Sequence, residues 1–270
     1  MKSRDLTAEA ATDERWRRML IENEHGRRNR RLHRRIPSAP RCKLCAAPFG
    51  LPGSLVMPLL RHRRWPKNPK FCEGCFRMLE QNHGGAEVSC SLLFADVRGS
   101  TGLAEQMSAR DFNRLMGRFH DVAFDVLTEH DAFVDKFVGD EIIGIFVPAM
   151  AGIDHDQKAI EAALDILGRL GAAEPSGLRI PVGIGVSSGV AYVGSVGEGP
   201  DTDLTAMGDL VNTTARLASA AAAGEILIAV SAETTDAVAG LERRTLELKG
   251  KSATTDVAVI SVAGATGSAP

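Results

Sequence analysis

Residues 91–101 read SLLFADVRGST, an apolar run that ends at Asp96 and continues into a turn of small and polar residues. The run predicts a buried strand over residues 89–97. A carboxylate at the end of a strand can hold a cation, and the free N–H groups of the following turn can hold phosphate oxygens. Asp96, Gly99 and Thr101 are therefore candidates for a site that binds a phosphorylated ligand. The alternative is an aspartate that only caps its own turn.

A second carboxylate lies at the tip of a predicted hairpin. Residues 132–137 and 141–147 have the composition of two strands, and the tight turn Val138-Gly139-Asp140 joins them. A neighbouring strand in the sheet can bring Asp140 beside Asp96. Two hard carboxylates near each other suit Mg²⁺ or Mn²⁺ and a phosphorylated substrate.

The remaining periodicity predicts an α+β fold. A helix begins at Ser108, with Asp111 in its first turn, and its apolar residues recur at helical spacing. Further helices are predicted over residues 155–170 and 208–222, a hairpin over 178–186 and 190–196, and strands over 226–230, 245–249 and 257–262. The order βαββαβ with additional strands is that of the split βαβ, ferredoxin-like arrangement, with helices on one face of a sheet.

Four segments together resemble the catalytic domain of class III nucleotidyl cyclases. Their sequences are SLLFADVRGST at 91–101, DKFVGDE at 135–141, MGDLVNTTAR at 207–216 and LKGK at 248–251. They occur in the order found in that family, and the resemblance covers about residues 88–263. It implies the class III cyclase fold, with Asp96 and Asp140 as the ligands of two Mg²⁺ or Mn²⁺ ions.

The resemblance also implies roles for the substrate-binding residues. Lys136 matches the position that reads the purine, where lysine accompanies ATP and glutamate accompanies GTP. Its partner position is Thr205, often Asp in adenylyl cyclases and Thr in a bacterial subgroup, so the adenine prediction rests mainly on Lys136. A lysine donates hydrogen bonds and accepts none, which suits adenine N1 and not the N1–H of guanine.

Three further residues match positions that act on the ribose and the phosphates. Asn212 and Arg216 lie four apart on one helical face and match the residues that orient the ribose and stabilise the transition state. Lys249 matches the lysine that holds the triphosphate, although Lys251 is close enough to be confused with it.

The function implied is that of an adenylyl cyclase, which converts ATP to 3′,5′-cyclic AMP and pyrophosphate for signal transduction. In the family the active site lies between two domains, and all the required residues occur in this one chain. A homodimer with two composite sites is therefore expected. The alternatives are a guanylyl cyclase and a catalytically silent nucleotide-binding regulator with a nucleic-acid-binding arm.

Four of the five cysteines form two C-x-x-C pairs, Cys42 with Cys45 and Cys72 with Cys75. Two such knuckles in a cytosolic chain favour a four-thiolate zinc site, so residues 41–80 are predicted to be a small zinc-ribbon-like module. The gap of 26 residues between the pairs is longer than usual. An iron–sulfur cluster and a thiol-redox or unligated state remain alternatives. Cys90 is predicted to be a small core residue.

Charge is distributed unevenly along the chain. Residues 1–80 contain 19 Lys/Arg and 8 Asp/Glu, whereas residues 81–270 contain 13 and 26. Residues 1–40 are therefore predicted to form a basic arm, with a helix near residues 13–24 and a mobile stretch after it. A regulatory protein, nucleic acid or an acidic membrane surface is the kind of partner that such an arm attracts.

Composition excludes several classes of protein. The 270 residues are 44% hydrophobic and 24% charged, which is typical of globular domains and not of disordered or fibrous chains. No apolar run approaches the roughly 18–20 residues of a membrane span, and the first residues lack a secretory h-region, so a cytoplasmic protein is expected. A linker is predicted at Gly84-Gly85 and a flexible tail at residues 264–270.

Overall fold

The computed structural model describes residues 2–171, 179–251 and 253–262. The chain divides into two compact units. The N-terminal unit comprises Met1–Ser89, Val147–Ile153 and Val190–Met207. The sheet unit comprises Cys90–Phe146, Asp154–Gly189 and Gly208–Pro270. The predicted tail at 264–270 lies outside the described residues.

Helices and strands follow one another in a mixed α+β order. The helices are α1 (Lys2–Ile21), α2 (Glu24–Arg34), α3 (Gly53–Val56), α4 (Glu73–Gln81), α5 (Ser100–Gln106), α6 (Ala109–Glu129), α7 (Pro148–Ala151), α8 (His155–Gly171) and α9 (Asp209–Ala220). The strands are β1 (Gly84–Val97), β2 (Phe133–Val138), β3 (Glu141–Phe146), β4 (Val182–Val196), β5 (Asp203–Met207), β6 (Glu225–Ala229), β7 (Glu242–Leu246) and β8 (Thr255–Ser261). The predicted α+β class is confirmed.

The strands of the sheet unit lie in the order β2-β3-β1-β4-β6-β8-β7. Strand β1 is central and apolar, and Leu92, Leu93 and Ala95 are fully buried. Helix α6 begins at the expected N-cap, where the Ser108 hydroxyl accepts a hydrogen bond from the N–H of Asp111. Its apolar face packs against β2, β3 and α8. A layer of helix on sheet therefore encloses the core and leaves the ends of β1 and β3 at its edge.

Two predictions about strands and linkers were wrong. The predicted hairpin is replaced by a single strand: β4 runs unbroken from Val182 to Val196, pairing with β6 in parallel and with β5 antiparallel. The pair Gly84-Gly85 belongs to β1 and is not a linker. A Cβ on Gly85 would lie 2.5 Å from the carbonyl oxygen of Val193, so glycine there permits the close approach of two strands.

The strand predicted at residues 245–249 begins three residues earlier, at Glu242. Strand β7 lies at the edge of the sheet and pairs only with β8 within the strand order of the described chain. Its residues 242–245 are exposed, so they lack the apolar alternation that marks a half-buried strand. Periodicity alone therefore placed this strand too late.

The N-terminal unit is more ordered than the sequence indicated. Residues 24–34, predicted to be a mobile basic stretch, form helix α2, with the Asn23 side chain capping its first turn. Arg30 is 1% exposed, and its Nη1 donates to the carbonyl of Leu44 at 2.6 Å. In α1, the buried Trp16 donates from Nε1 to the carbonyl of Asn82 at 3.0 Å. Long-range hydrogen bonds thus order helices that local charge does not stabilise.

None of the described helices combines the length and the apolar character that a membrane crossing requires.

Candidate active site and cysteine cluster

The pairing of β1 with β3 brings the two predicted metal aspartates together. Asp96 lies opposite Glu141 in the antiparallel register. Glu141 directly follows Asp140, which lies in the hairpin turn. The N–H of Val97 donates to the carbonyl of Asp140 at 3.0 Å. Both aspartates are half-buried at the edge of the sheet. The hairpin therefore places two carboxylates side by side, as the sequence predicted.

Two neighbouring residues hold these carboxylates, and sequence reasoning gave neither a role. The guanidinium of Arg98 forms an ion pair with Asp96 and donates from Nη1 to the carbonyl of Ser219 at 2.9 Å. The hydroxyl of Ser100 donates to the carboxylate of Asp140. Both lie in the segment 91–101, and the signal that could have found them was their place beside Asp96.

Burial raises the pKa of Asp96 above its usual value, and the neighbouring Asp140 raises it further, whereas Arg98 lowers it. The ionised form of Asp96 is thus disfavoured by desolvation and by the nearby Asp140. A cation between them would relieve both. Because carboxylate oxygens are the ligands that Mg²⁺ and Mn²⁺ prefer, the donor set fits the expected metals.

The turn that carries Asp140 is supported from helix α6. His120 is half-buried, and its Nε2 lies 3.1 Å from the carbonyl oxygen of Gly139. Burial lowers the pKa of His120, so the ring tends toward its neutral form and donates from Nε2. Gly139 has φ of +62°, which favours glycine at the turn.

The turn after β1 contains the remaining residues predicted near the metal. Gly99 adopts φ of +66° immediately before α5, and Thr101 is exposed in the first turn of that helix. A Cβ added to Gly99 would meet no described atom within 4 Å, so the turn is open. Their binding of phosphate stays a prediction.

The two residues predicted to read the purine lie on different strands. Lys136 belongs to β2, and its side chain lies outside the described part of the structure. Thr205 belongs to β5 of the N-terminal unit and is buried. Strand β5, five residues long, was not predicted.

A second group of predicted residues surrounds helix α9. Asn212 is exposed, and Arg216 is half-buried with its Nη2 3.3 Å from where a Cβ on Gly250 would lie. The structure thus brings Arg216 against the segment 248–251. Lys251 Nζ forms an ion pair with Asp209 at 2.6 Å, whereas Lys249 is exposed and forms no ion pair among the described residues. The assignment of Lys249 as the phosphate ligand stays a prediction.

No hydrogen bond or ion pair joins the two groups directly among residues 2–171, 179–251 and 253–262. Neither Asp96 nor Asp140 bonds to Asn212, Arg216 or Lys249. The guanidinium of Arg98, which pairs with Asp96, donates to the carbonyl of Ser219 on α9. One group carries the carboxylates, and the other carries the cations and the amide.

The four cysteines of the two C-x-x-C pairs converge in the N-terminal unit. The sulfurs of Cys42, Cys45, Cys72 and Cys75 all lie within 4.8 Å of one another, and all are free thiols. Sulfurs at about 2.3 Å from a tetrahedral zinc are about 3.8 Å apart. The Cys45–Cys72 separation of 3.6 Å is close to that value. The cluster therefore fits a four-thiolate metal site.

Cys72 is the residue best prepared to be a thiolate. Hydrogen bonds from the thiols of Cys42 and Cys45 lower its pKa, and it is the N-cap of α4, where the helix dipole stabilises negative charge. His62 Nδ1 lies 3.3 Å from its sulfur. The histidine, which sequence spacing did not single out, can donate to the metal-bound sulfur in the way that outer ligands of metal sites do.

The segment between the cysteine pairs also holds strand β5. Asn68 is buried, and its Nδ2 donates to the carbonyl of Thr202 at 2.9 Å. Lys70 forms an ion pair with Asp203 at 2.8 Å. Asn68 and Lys70 lie four and two residues before Cys72, and Asp203 lies two residues before Thr205. The cysteine module is thus connected directly to the strand that carries Thr205.

Comparison with known proteins agrees with the geometry of the sheet. Residues 85–261 match the sequence family described as the adenylate and guanylate cyclase catalytic domain. An uncharacterized protein of Mycobacterium tuberculosis is 29% identical over 182 residues, which is 65% of this chain and 34% of that protein. A second one from the same species is 32% identical over 160 residues, 59% of this chain and 29% of that protein. The chain spans about a third of the length of these relatives.

Solved structures also match the sheet. The guanylyl cyclase Cya2 has a TM-score of 0.60 at 25% identity, covering 67% of this chain and 95% of that one. The guanylate cyclase domain of RhGC from Catenaria anguillulae, in complex with GTP, has a TM-score of 0.56 at 25% identity, covering 65% and 98%. The adenylyl cyclase CyaB from P. aeruginosa has a TM-score of 0.57 at 24% identity, covering 68% and 99%.

Proposed function

The chain belongs to the family of adenylate and guanylate cyclase catalytic domains, and from that premise we propose that it is an adenylyl cyclase. Its substrate is ATP, and its products are 3′,5′-cyclic AMP and pyrophosphate. The observation that carries the proposal is the side-by-side placement of Asp96 and Asp140 at the ends of β1 and β3. The choice of ATP over GTP rests on the chemistry of Lys136.

In the proposed reaction the ribose 3′-oxygen forms a bond to the α-phosphorus. The bond from that phosphorus to the oxygen bridging toward the β-phosphorus breaks, pyrophosphate leaves and the hydroxyl proton passes to solvent. Two divalent cations bound by Asp96 and Asp140 would lower the pKa of the 3′-hydroxyl and neutralise phosphate charge. Arg98 and Ser100 keep the two carboxylates oriented, because each contacts one of them.

The cationic group around α9 would act on the phosphates and the ribose. Arg216 donates hydrogen bonds to the charge that develops on the equatorial oxygens, and Lys249 holds the leaving pyrophosphate. Asn212 orients the ribose. Lys136 donates to adenine N1, with Thr205 as its partner. Positioning and charge stabilisation account for most of the catalysis of phosphoryl transfer, so no protein nucleophile is required.

We further propose that two copies of the chain form composite sites. Both groups occur in one chain, and no hydrogen bond or ion pair among the described residues joins the carboxylates to Arg216, which supports this arrangement. Two-fold symmetry would create two equivalent sites, each with the carboxylate pair of one chain and the cationic side chains of the other. Mixing Asp96→Ala with Arg216→Ala protein should restore activity at one site in the mixed dimer, and a mixture that stays inactive argues against shared sites.

The substrate is tested directly. The purified protein is incubated with Mn²⁺ and either ATP or GTP, and the products are separated by chromatography. We expect cyclic AMP from ATP, and Lys136→Glu should shift the preference toward GTP, because glutamate accepts from the guanine N1–H. Formation of cyclic GMP from GTP by the unaltered chain would favour the guanylyl cyclase alternative. No cyclic product from either nucleotide would favour the silent regulator.

For the cysteine module we propose a structural Zn²⁺ held by Cys42, Cys45, Cys72 and Cys75. The all-sulfur donor set supports zinc, or iron as the competing metal. Elemental analysis distinguishes them: one zinc per chain is expected, whereas iron with visible absorbance would overturn the assignment.

A further inference from the structure

Between the two cysteine pairs, residues 51–60, here called the leucine loop, expose an unusual amount of aliphatic surface. The large hydrophobic side chains exposed among the described residues number twelve, and five of them lie in these ten residues. They are Leu51 (73% exposed), Leu55 (69%), Val56 (48%), Leu59 (83%) and Leu60 (55%). Exposed apolar residues that occur singly need no explanation, but a contiguous group marks an interaction surface.

The leucine loop is built so that these side chains point outward. Helix α3 is followed by a 3₁₀ turn at Met57–Leu60, and Met57 is the buried anchor of that turn. The N–H of His62 donates to the carbonyl of Met57 at 2.9 Å. Gly53 packs so closely that a Cβ would lie 2.5 Å from Pro48. One face of the loop is therefore fixed on the module, and the aliphatic face is left to solvent.

Basic residues follow the leucine loop directly. Arg61, Arg63 and Arg64 are all exposed. Arg63 and Arg64 line a cavity of about 360 Å³ together with Met57 and Pro58 of the loop. The guanidinium of Arg64 is held in place, since its Nε donates to the carbonyl of Pro69 at 2.9 Å. A cavity lined by two arginines thus adjoins an exposed aliphatic surface.

The whole N-terminal region carries charge of the same sign. Residues 1–80 have 19 Lys/Arg against 8 Asp/Glu. On helix α2, Arg27, Arg28 and Arg31 line a second cavity, of about 620 Å³. Positive charge alone suits any polyanion. The exposed aliphatic side chains therefore distinguish an anionic lipid surface from a nucleic acid.

We propose that the leucine loop and residues 61–64 dock the protein on an anionic lipid bilayer. Exposed leucine side chains enter the boundary between headgroups and acyl chains, while adjacent arginines bind lipid phosphates. A single-stranded nucleic acid would need aromatic side chains for stacking, and the exposed residues of the loop are aliphatic. This inference does not depend on the choice of nucleotide substrate or on catalysis.

Vesicle sedimentation of the full chain tests the docking surface. We expect the protein to pellet with phosphatidylcholine vesicles that contain phosphatidylglycerol, to stay in solution with phosphatidylcholine alone, and to be released by salt. The double variant Leu55→Ser, Leu59→Ser should lose at least tenfold in affinity, and Arg61→Ala, Arg63→Ala should lose a similar factor. The matched controls are Leu164→Ser and Arg110→Ala, exposed residues of α8 and α6, which should bind as the unaltered chain does.

A second measurement does not depend on a loss of binding. In Leu59→Trp, the added indole should be quenched by brominated acyl chains in anionic vesicles, whereas that of Leu164→Trp should not. Equal quenching of both, or unchanged vesicle binding by the leucine double variant, would overturn the proposal. A change in the oligomeric mass of the leucine double variant, measured by light scattering, would also overturn it. The same holds if this variant binds a single-stranded oligonucleotide tenfold more weakly but binds vesicles as before.

Discussion

The sheet unit and the cysteine module are stabilised by different means. In the sheet unit, β1 and β3 are lined by fully buried aliphatic side chains such as Leu92 and Ile142. In the module, the centre is a group of four sulfurs, and only a few apolar residues such as Phe71 and Leu79 surround it. A sheet with an apolar core can carry strained carboxylates at its edge at little risk to its fold. A segment of about 40 residues has no such reserve and depends on its ligands.

The largest effect is expected from the cysteines. Structural zinc contributes roughly 10–16 kcal/mol of binding free energy, which equals or exceeds the stability of a typical domain. Cys72→Ser should therefore lose the metal and leave residues 41–80 open to protease, as measured by elemental analysis and limited proteolysis. Cys90→Ala, in the buried strand β1, is the matched control and should keep its metal. A protease-resistant, metal-free Cys72→Ser protein would show that the module folds without zinc.

The next largest effect is on catalysis, and it should leave the fold intact. Asp96→Asn removes a carboxylate that burial already strains, so the melting temperature should stay the same or rise. The cyclase rate should fall at least about 100-fold, because loss of even an outer partner of a metal site costs about 10–100-fold. Asp121→Asn, an exposed position on α6, serves as the control. Full activity in Asp96→Asn would remove this residue from the site.

A smaller effect is expected where the module holds β5. Asn68→Ala leaves the buried carbonyl of Thr202 without that donor and should cost about 1–3 kcal/mol in the free energy of unfolding. Lys70→Ala breaks an exposed ion pair and should cost less than about 1 kcal/mol. Denaturant titration of both variants gives the comparison. An equal decrease in the free energy of unfolding of both variants would mean that the buried Asn68 hydrogen bond stabilises the fold no more than the exposed ion pair does.

The smallest effect concerns pH and belongs to the sheet unit. His155 is buried at the N-terminus of α8, and its Nδ1 lies 2.7 Å from the hydroxyl of Ser91. Burial lowers the pKa of His155, although nearby carboxylates such as Asp156 oppose this. The unfolded chain therefore binds a proton more readily, and stability falls as the pH drops below about 6.5, the ordinary value for histidine.

Melting temperatures measured between pH 7 and pH 5 test this linkage. The decline should be smaller in His155→Gln, whose amide can still hydrogen-bond Ser91 but does not titrate. Asp156→Asn should steepen the decline, because it removes a charge that favours protonation. Parallel pH profiles for the unaltered chain and His155→Gln would contradict the assignment.

Sequence predicted the two aspartates and the four cysteines because each follows from a local pattern. Asp96 ends an apolar run and Asp140 lies in a tight turn, so short-range features predicted their positions, while their role as metal ligands came from the family resemblance and stays a prediction. The helical state of residues 24–34 was not predictable, because it depends on contacts such as Arg30 with Leu44 that are distant in sequence. The contact of Lys251 with Asp209, 42 residues apart in the chain, escaped for the same reason.

The hydrogen bond from Asn68 to Thr202 bears on how such chains evolve. Recombination that replaced the cysteine module by an unrelated regulatory domain would leave β5 without Asn68 and Lys70. An exchange that keeps the stability of β5 must therefore transfer both partners together, or supply another donor for the backbone carbonyl of Thr202 and another cation for Asp203. We expect descendants of this architecture to inherit the module and β5 as one genetic unit, although more than 130 positions separate them in the chain.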